Sequence, residues 1–354
     1  MPNDDPNDSW HHPKSTAGKG WVKTWRKIYH PLGFKKGYNF PLFVICVGIL
    51  MYFVLSRFKY LDFDGVFLKE AIPGDATHYL SGHMRIGMML HLGAILPAGL
   101  LACFQFVPVI RHKIIMFHRL NGYVVILLFL VANAGAYMIT PEAAGGSPAT
   151  QVGLGTLATA TTVTITLSYI NIKRLQIDQH RAWMLRTWFY AGSIITLRVI
   201  LMAANTWITE HPEGNWYTVQ TCSLIWKQYV VYGAPDGEGN PVLEIYPQCL
   251  NGSSTVPVIV KADNNGPGPE YSTAAFHLTF GMSVWLAFII HAIAVELYLA
   301  LTPAESERLR VVSYERQLKA GLRNPGRSGL TVDRLGDAPT WKRLNDDMEM
   351  DSNH

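Results

Sequence analysis

Six runs of apolar residues decide what this chain can fold into: residues 41–58, 84–110, 114–139, 152–172, 183–207 and 274–301. Each is near the roughly 20 residues that a helix needs to cross the hydrocarbon core of a bilayer. The third, with Val124-Val125-Ile126-Leu127-Leu128-Phe129-Leu130 at its centre, is the most uniformly apolar. The fourth is the most polar, carrying Thr156, Thr159, Thr161, Thr162, Thr164 and Thr166, and is expected to face other helices, where small residues permit close packing. The expected class is all-α: a polytopic membrane bundle of six transmembrane helices spanning residues 41–301, flanked by polar tails at 1–40 and 302–354. The tails are punctuated by Pro and Gly and are expected to be largely disordered, except for an amphipathic helix over 303–321 opened by Glu305, Glu307 and Arg308.

Basic residues orient the bundle. Lys23, Arg26, Lys27, Lys35 and Lys36 precede the first run, and Arg111 with Lys113 link the second to the third. Lys173, Arg174 and Arg181 link the fourth to the fifth, and Arg308, Arg310, Arg316, Lys319 and Arg323 follow the sixth. Six crossings place all of them on one side, which the positive-inside rule makes cytoplasmic, with both termini there. The formal net charge of +4 follows from this asymmetry, so a nucleic-acid partner is excluded and membrane lipids are the expected surroundings. The long loop 211–271 agrees independently. It carries Cys222 and Cys249, expected as a disulfide with free thiols the alternative, and the glycosylation sequon Asn251-Gly252-Ser253. A second sequon, Asn7-Asp8-Ser9, would be cytoplasmic and unused. Cys46 and Cys103 lie within apolar runs and read as small apolar residues. No hydrophobic core lies close to Met1, so the first run is expected to act as the anchor, without a cleaved signal peptide, in the endomembrane system or plasma membrane.

Histidines are the conspicuous polar residues in the apolar runs. His277 and His291 are fourteen residues apart, so in a helix they project from nearly the same face, separated by roughly 21 Å. The topology sorts the histidines into a lumenal group, His91 and His277, with His78 and His83 just outside it. A cytoplasmic group comprises His118, His180 and His291. Intramembrane titratable groups are costly and mark function by default. A bis-histidine heme b needs two imidazoles on facing helices and small residues for the macrocycle, which Gly87, Gly93, Ala98 and Gly99 near His91, Gly122 near His118 and Gly281 near His277 would supply. Gln105 stands where a second ligand would fall fourteen residues after His91, which shifts the cytoplasmic role onto His118 or His180.

Arg198 lies deep in the fifth run and is expected to face the bundle, paired with an acid, a carbonyl or an anionic ligand. Glu296 lies toward the other face of the sixth run and is expected to pair with Arg119 or Arg186. Arg198 and Glu296 are the candidate catalytic residues.

The segments His118-Arg119-Leu120-Asn121-Gly122-Tyr123 and His180-Arg181-Ala182-Trp183-Met184-Leu185-Arg186 resemble a family of uncharacterised multi-pass membrane proteins of fungi and bacteria with H-R-x-x-G and H-R-x-W-M-x-R motifs. The resemblance runs from about His91 to Arg198 and implies a membrane domain of unknown function, with some fungal members accompanying secondary-metabolite pathways. A looser similarity, at His91-Leu92-Gly93-Ala94-Ile95-Leu96-Pro97-Ala98-Gly99 and His118, is to diheme b-type transmembrane cytochromes.

Three functions are in contention. The first is a b-type heme oxidoreductase, with His91 and His277 ligating a lumenal heme and His118 or His180 with His291 a cytoplasmic one. It would act on a metal, a quinone or a lipophilic small molecule. The second is a heme-free membrane enzyme of a biosynthetic pathway, such as a hydrolase or cyclase, with zinc held by histidines (His91 and His277 among them) or an anionic substrate held by Arg198. The third is a transporter-like bundle without catalysis.

Overall fold

The computed structural model describes residues 20–34, 37, 39–232, 241–250 and 254–343. The sequons at Asn7 and Asn251, and Lys35 and Lys36, lie outside them. In chain order the helices are α1 (Gly20–Tyr29), α2 (Asn39–Arg57), the short turns α3 (Leu68–Glu70) and α4 (Pro73–Ala76), α5 (Gly82–Gln105), α6 (Pro108–Lys113), α7 (Ile115–Ile139), α8 (Pro148–Lys173), α9 (Ile177–Glu210), α10 (Cys222–Tyr232), α11 (Pro241–Ile245), α12 (Pro269–Ala300) and α13 (Pro303–Lys319). Two strands, β1 (Tyr217–Thr221) and β2 (Pro257–Lys261), form an antiparallel ribbon inside the long loop. The protein is an integral membrane helical bundle. Five helices, α2, α5, α7, α9 and α12, are long and apolar enough to cross a bilayer. The sixth expected span, α8, has the length but not the apolarity, because its threonines lower it.

The chain forms two compact units. The first comprises residues up to Leu55 together with Pro97–Val125. Within it, Gly99 lies where a side chain would meet the Val54 methyls, Asn121 donates to the Leu101 carbonyl (3.0 Å) and Gln105 to the His118 carbonyl (3.2 Å). The turn at Phe106–Val107 separates α5 from α6 because Pro108 has no N–H to continue the helix.

The second unit comprises Ser56–Leu96 and everything from Ile126 onward. Its helices meet through glycine and through hydroxyl or amide hydrogen bonds. A side chain at Gly135 of α7 would come within 2.5 Å of the Gly87 carbonyl of α5 and 2.7 Å of the His91 amide nitrogen, so the two backbones touch. Gly135→Ala must separate these helices and is expected to cost about 1–3 kcal/mol, the range of overpacking. A drop in apparent Tm of detergent-solubilised protein would show it; an unchanged Tm would mean that the helices do not pack this closely.

The threonines of α8 are satisfied locally. Thr161, Thr162, Thr164 and Thr166 each donate to a carbonyl one turn back. They then accept from neighbours: the Asn133 amide of α7 donates to Thr161 (3.1 Å) and Thr162 (2.9 Å), and the Thr187 hydroxyl of α9 to Thr164 (2.9 Å). Ser147 caps the helix start, accepting from the Thr150 N–H. The expected inward-facing role of these threonines therefore holds for Thr161 and Thr164, whereas Thr159 and Thr166 are exposed.

The loops after α7 and α9 and the α3–α4 segment meet at one end of this unit. There the described residues between Tyr217 and Ala262 form a subdomain with its own core in place of the loop the sequence suggested. Its core is Ile225, Tyr229, Val242, Tyr246, Val258 and Val260, closed by the Cys222–Cys249 disulfide.

The opposite end corrects the expected disorder of residues 322–343. The α13 helix is followed by turns that fold back onto it and onto the α8–α9 corner. Gln317 donates to the Arg174 carbonyl and the Gln176 side chain, and Gln176 to Asp178 and the Gly326 carbonyl. Trp341 donates to Glu307 and Arg310 to Asp333 (2.6 Å). The polar tail is ordered because its side chains satisfy one another and the exposed helix ends, which a count of apolar residues cannot reveal. Burial pushes the Asp333 carboxyl up, but the Thr331 hydroxyl, the Trp341 N–H and Arg310 outweigh it and hold it below its ordinary value. A carboxylate so lowered stabilises the fold above its unfolded pKa, and that stability is lost as pH falls through the folded one. Amide exchange in residues 324–341 is therefore expected to accelerate selectively below about pH 4; exchange indifferent to pH there, once the intrinsic chemistry is removed, would refute the role of Asp333.

Candidate functional site

At the disulfide-bearing end, three elements converge on His277, two turns into α12. The α4 turn supplies Asp75, whose Oδ1 lies 3.4 Å from His277 Nε2; both side chains are nearly buried. The turn before α8 runs left-handed through Ala144 (φ 48°), Gly145 (φ 77°) and Gly146 (φ 62°). Glycine is the residue that takes these angles without a Cβ penalty. The bend carries the Ala144 N–H to Asp75 Oδ2 (3.3 Å), so the carboxylate holds both histidine and turn. A side chain at Gly145 would stand 2.5 Å from His277 Nδ1, and one at Gly74 3.2 Å from Cε1 on the other side. The imidazole is thus sandwiched between two glycines.

The α4 turn is held by a buried relay from the disulfide subdomain. The Gly74 N–H donates to Thr273 Oγ1 (3.0 Å), Thr273 to the Gln228 side-chain carbonyl (2.9 Å), Gln228 to Gln220 (2.9 Å), and Gln220 to the Glu270 main-chain carbonyl (2.9 Å). The Tyr232 hydroxyl adds a bond to the Ala71 carbonyl (2.7 Å). Burial, then the nearby Asp75 charge, push that phenol up to about 12, so it remains a donor. Beside the site, His78 contacts Glu142 at 2.6 Å.

Arg198 projects from α9 into the same region. It shares electrostatic interactions with Arg57, Asp75, Tyr60 and Tyr79, and its neighbour Leu197 packs with Ile72, Ala144 and Phe276. Among the described residues no hydrogen bond or close ion pair holds the guanidinium, and the residue is exposed. An arginine at such depth with no close ion pair among the described residues is a place for an anionic ligand group.

The remaining expected site residues lie elsewhere. His91 Nδ1 contacts the Ala132 carbonyl of α7 (2.9 Å). His180 Nδ1 contacts Ser168 Oγ (2.7 Å), and His291 Nε2 contacts Thr196 Oγ1 (2.8 Å). His118 belongs to the first unit. Glu296 takes the partner expected of it, a two-pronged pair with Arg186 (2.6 and 2.9 Å). Among the described residues no three His, Cys, Asp or Glu side chains cluster as a metal site would require.

The fit of a heme can be judged at each histidine. His91 would suit, since its Nδ1 is oriented by a carbonyl and Nε2 remains for a metal. His277 does not: Asp75 occupies Nε2, and Gly145 leaves Nδ1 only the width of a missing side chain, too little for a macrocycle. His291 resembles His91, with Nε2 on Thr196 and Nδ1 buried without a hydrogen-bond partner among the described residues. Asp75, Glu142 and the two flanking glycines escaped the sequence reading because they sit in loops without periodicity; the one available signal was the consecutive Gly145-Gly146 pair.

Comparison with known proteins follows the same lines. No solved structure matches the chain. A curated relative, "Ava biosynthesis cluster protein G" of Aspergillus versicolor, is 24% identical over 332 residues, covering 79% of this chain and 94% of the relative. Residues 88–231, which include both H-R motifs and Arg198, match the family model described as "Predicted membrane protein (DUF2306)", so the family that the motifs resemble is this one, membrane proteins whose function is not established.

Proposed function

We propose that this integral membrane protein is a heme-free enzyme of a biosynthetic pathway, performing acid–base chemistry on a lipophilic substrate that carries an anionic group. The observation that carries the reading is the nearly buried Asp75–His277 pair with Arg198 in electrostatic reach of Asp75 and, among the described residues, in no close ion pair. Asp75 orients the ring through Nε2, leaving Nδ1 to take a proton from the substrate or return one. Gly145 leaves the width of a missing side chain beside that nitrogen. Arg198 anchors the anionic group, and the lipid-facing helices supply the apolar surroundings for the rest. A biosynthetic role is supported by the name of the Aspergillus versicolor relative. On this reading α8 is the sixth span, both termini are cytoplasmic and the disulfide subdomain is lumenal, because the basic α8–α9 link lies with α13 at the opposite end from the disulfide.

A bound heme b or zinc, or electron transfer to a quinone, is the competing reading, and His91 is its best support. The experiment that separates them uses protein in nanodiscs, incubated with lipophilic extract from cells lacking it and followed by mass spectrometry alongside an absorption spectrum. Consumption of an anionic compound by the wild type, lost with Arg198→Gln, with no Soret band, is the expected result. A Soret band abolished by His91→Ala, or no compound consumed, would overturn the proposal.

A further inference from the structure

The β1–β2 ribbon inverts the pattern of a ribbon that faces water. One face of such a pair packs on the core and the other is ordinarily polar. Here Gln220, Val258 and Val260 point inward against Ile225 and Tyr229, as expected. The outward set is Tyr217, Val219 and Ile259, with Val219 and Ile259 directly paired and 68% and 70% exposed. Only Thr221 and Lys261, at opposite ends of the ribbon, interrupt this apolar outer face.

What covers that face is indicated by the helix from which it grows. Val199, Met202 and Trp207 form an exposed stripe on α9, the surface that a membrane helix presents to lipid. At its end Trp207 stacks on His211 (3.8 Å between ring centres), and the His211 carbonyl accepts from the Trp216 ring N–H (3.0 Å). Trp and Tyr gather at the depth of the lipid headgroups, where an apolar ring and a polar edge are both accommodated. Trp207, Trp216 and Tyr217 mark that depth within ten residues, and the Trp216–His211 bond folds the connection short. The ribbon therefore begins where the lipid-facing stripe ends.

We infer that the outer face of the ribbon rests on the bilayer surface, with Val219 and Ile259 buried in the headgroup layer and Lys261, 3.5 Å from Asp263, at its edge. The lipid is thereby a binding partner of the subdomain that holds Asp75. The polar Gln220–Gln228–Thr273 relay then connects a membrane-seated ribbon to the α4 turn.

The test places a nitroxide at Val219→Cys and, separately, at Ile259→Cys, in full-length protein with Cys46→Ser and Cys103→Ser, reconstituted in nanodiscs. Collision with oxygen, which concentrates in the bilayer, is compared with collision with a water-soluble nickel chelate. The expected result is an oxygen preference at both positions, reverting to a chelate preference when the same protein is transferred to a lipid-free amphipathic polymer. A chelate preference in nanodiscs overturns the proposal, since the face is then in water. Dipolar broadening that disappears on dilution with unlabelled protein overturns it in favour of a contact with a second copy.

Discussion

His277→Ala is expected to lower turnover by about 10²–10⁴-fold, the contribution typical of a positioned acid–base group, while leaving substrate affinity nearly intact. The reason is geometric. The ring is held by Asp75 on one nitrogen and by glycines on both faces, so its loss removes a proton carrier without opening the helix contacts that shape the bundle. Asp75→Asn keeps the shape but replaces the carboxylate that orients the ring by an amide, and should fall between wild type and His277→Ala. Gly145→Ala should mimic the loss without deleting either group, because the new Cβ would lie 2.5 Å from Nδ1 at a left-handed backbone position. Arg198→Gln should act the other way, raising KM more than it lowers kcat, since an anchor contributes to ground state and transition state alike. The measurement is steady-state kinetics on the compound identified by mass spectrometry. Should His277→Ala retain wild-type kcat, the dyad is structural and the proposed chemistry fails.

Breaking the Cys222–Cys249 disulfide is expected to destabilise the subdomain by about 3–4 kcal/mol, the chain-entropy value for a loop of the 27-residue separation it closes. Little else closes that loop. Its apolar core consists of a few side chains, among them Ile225, Tyr229, Val242 and Tyr246, and both cysteines are wholly buried within it. The effect should reach the site. Gln228 lies on the helix that Cys222 opens, and it holds Thr273 and, through it, the α4 turn that carries Asp75. Cys222→Ser/Cys249→Ser is therefore expected to lower activity more than it lowers the thermal stability of the transmembrane helices. Amide exchange would resolve the two: fast exchange over residues 217–232 and 73–76 with protected α9 and α12 is the predicted pattern. Uniform loss of protection would instead mean that subdomain and bundle unfold as one.

Much of the architecture is a one-dimensional property. A segment of some 20 apolar residues must hydrogen-bond its own backbone in lipid, so length and composition suffice to make it a helix. The helices α2, α5, α7, α9 and α12 are legible in this way to within about six residues, whereas α8 forms the expected helix but falls short of the apolarity of a span. The disulfide was likewise legible, since two cysteines in one loop had few other uses. The pairing of Glu296 with Arg186 was one of two anticipated from helix faces, Arg119 being the other.

The candidate site was not legible in the same way. The fourteen-residue spacing correctly puts His277 and His291 on one face of one helix, but spacing says nothing about what that face meets. His277 meets Asp75, 202 residues earlier, and His291 meets Thr196, 95 residues earlier. Both partners depend on how separate elements pack, and Asp75 depends further on a four-residue turn held by side chains of a distant subdomain. The ordered tail after α13 followed the same rule, since Asp333 and Trp341 are structured by Arg310 and Glu307 and not by apolarity. The sequence alone determined which segments are long and apolar enough to enter a membrane and which ionisable groups they carry, because solvation by lipid acts on each residue separately. Which of those groups face one another was decided only by the tertiary structure, because a hydrogen bond exists only where packing brings two atoms within about 3 Å.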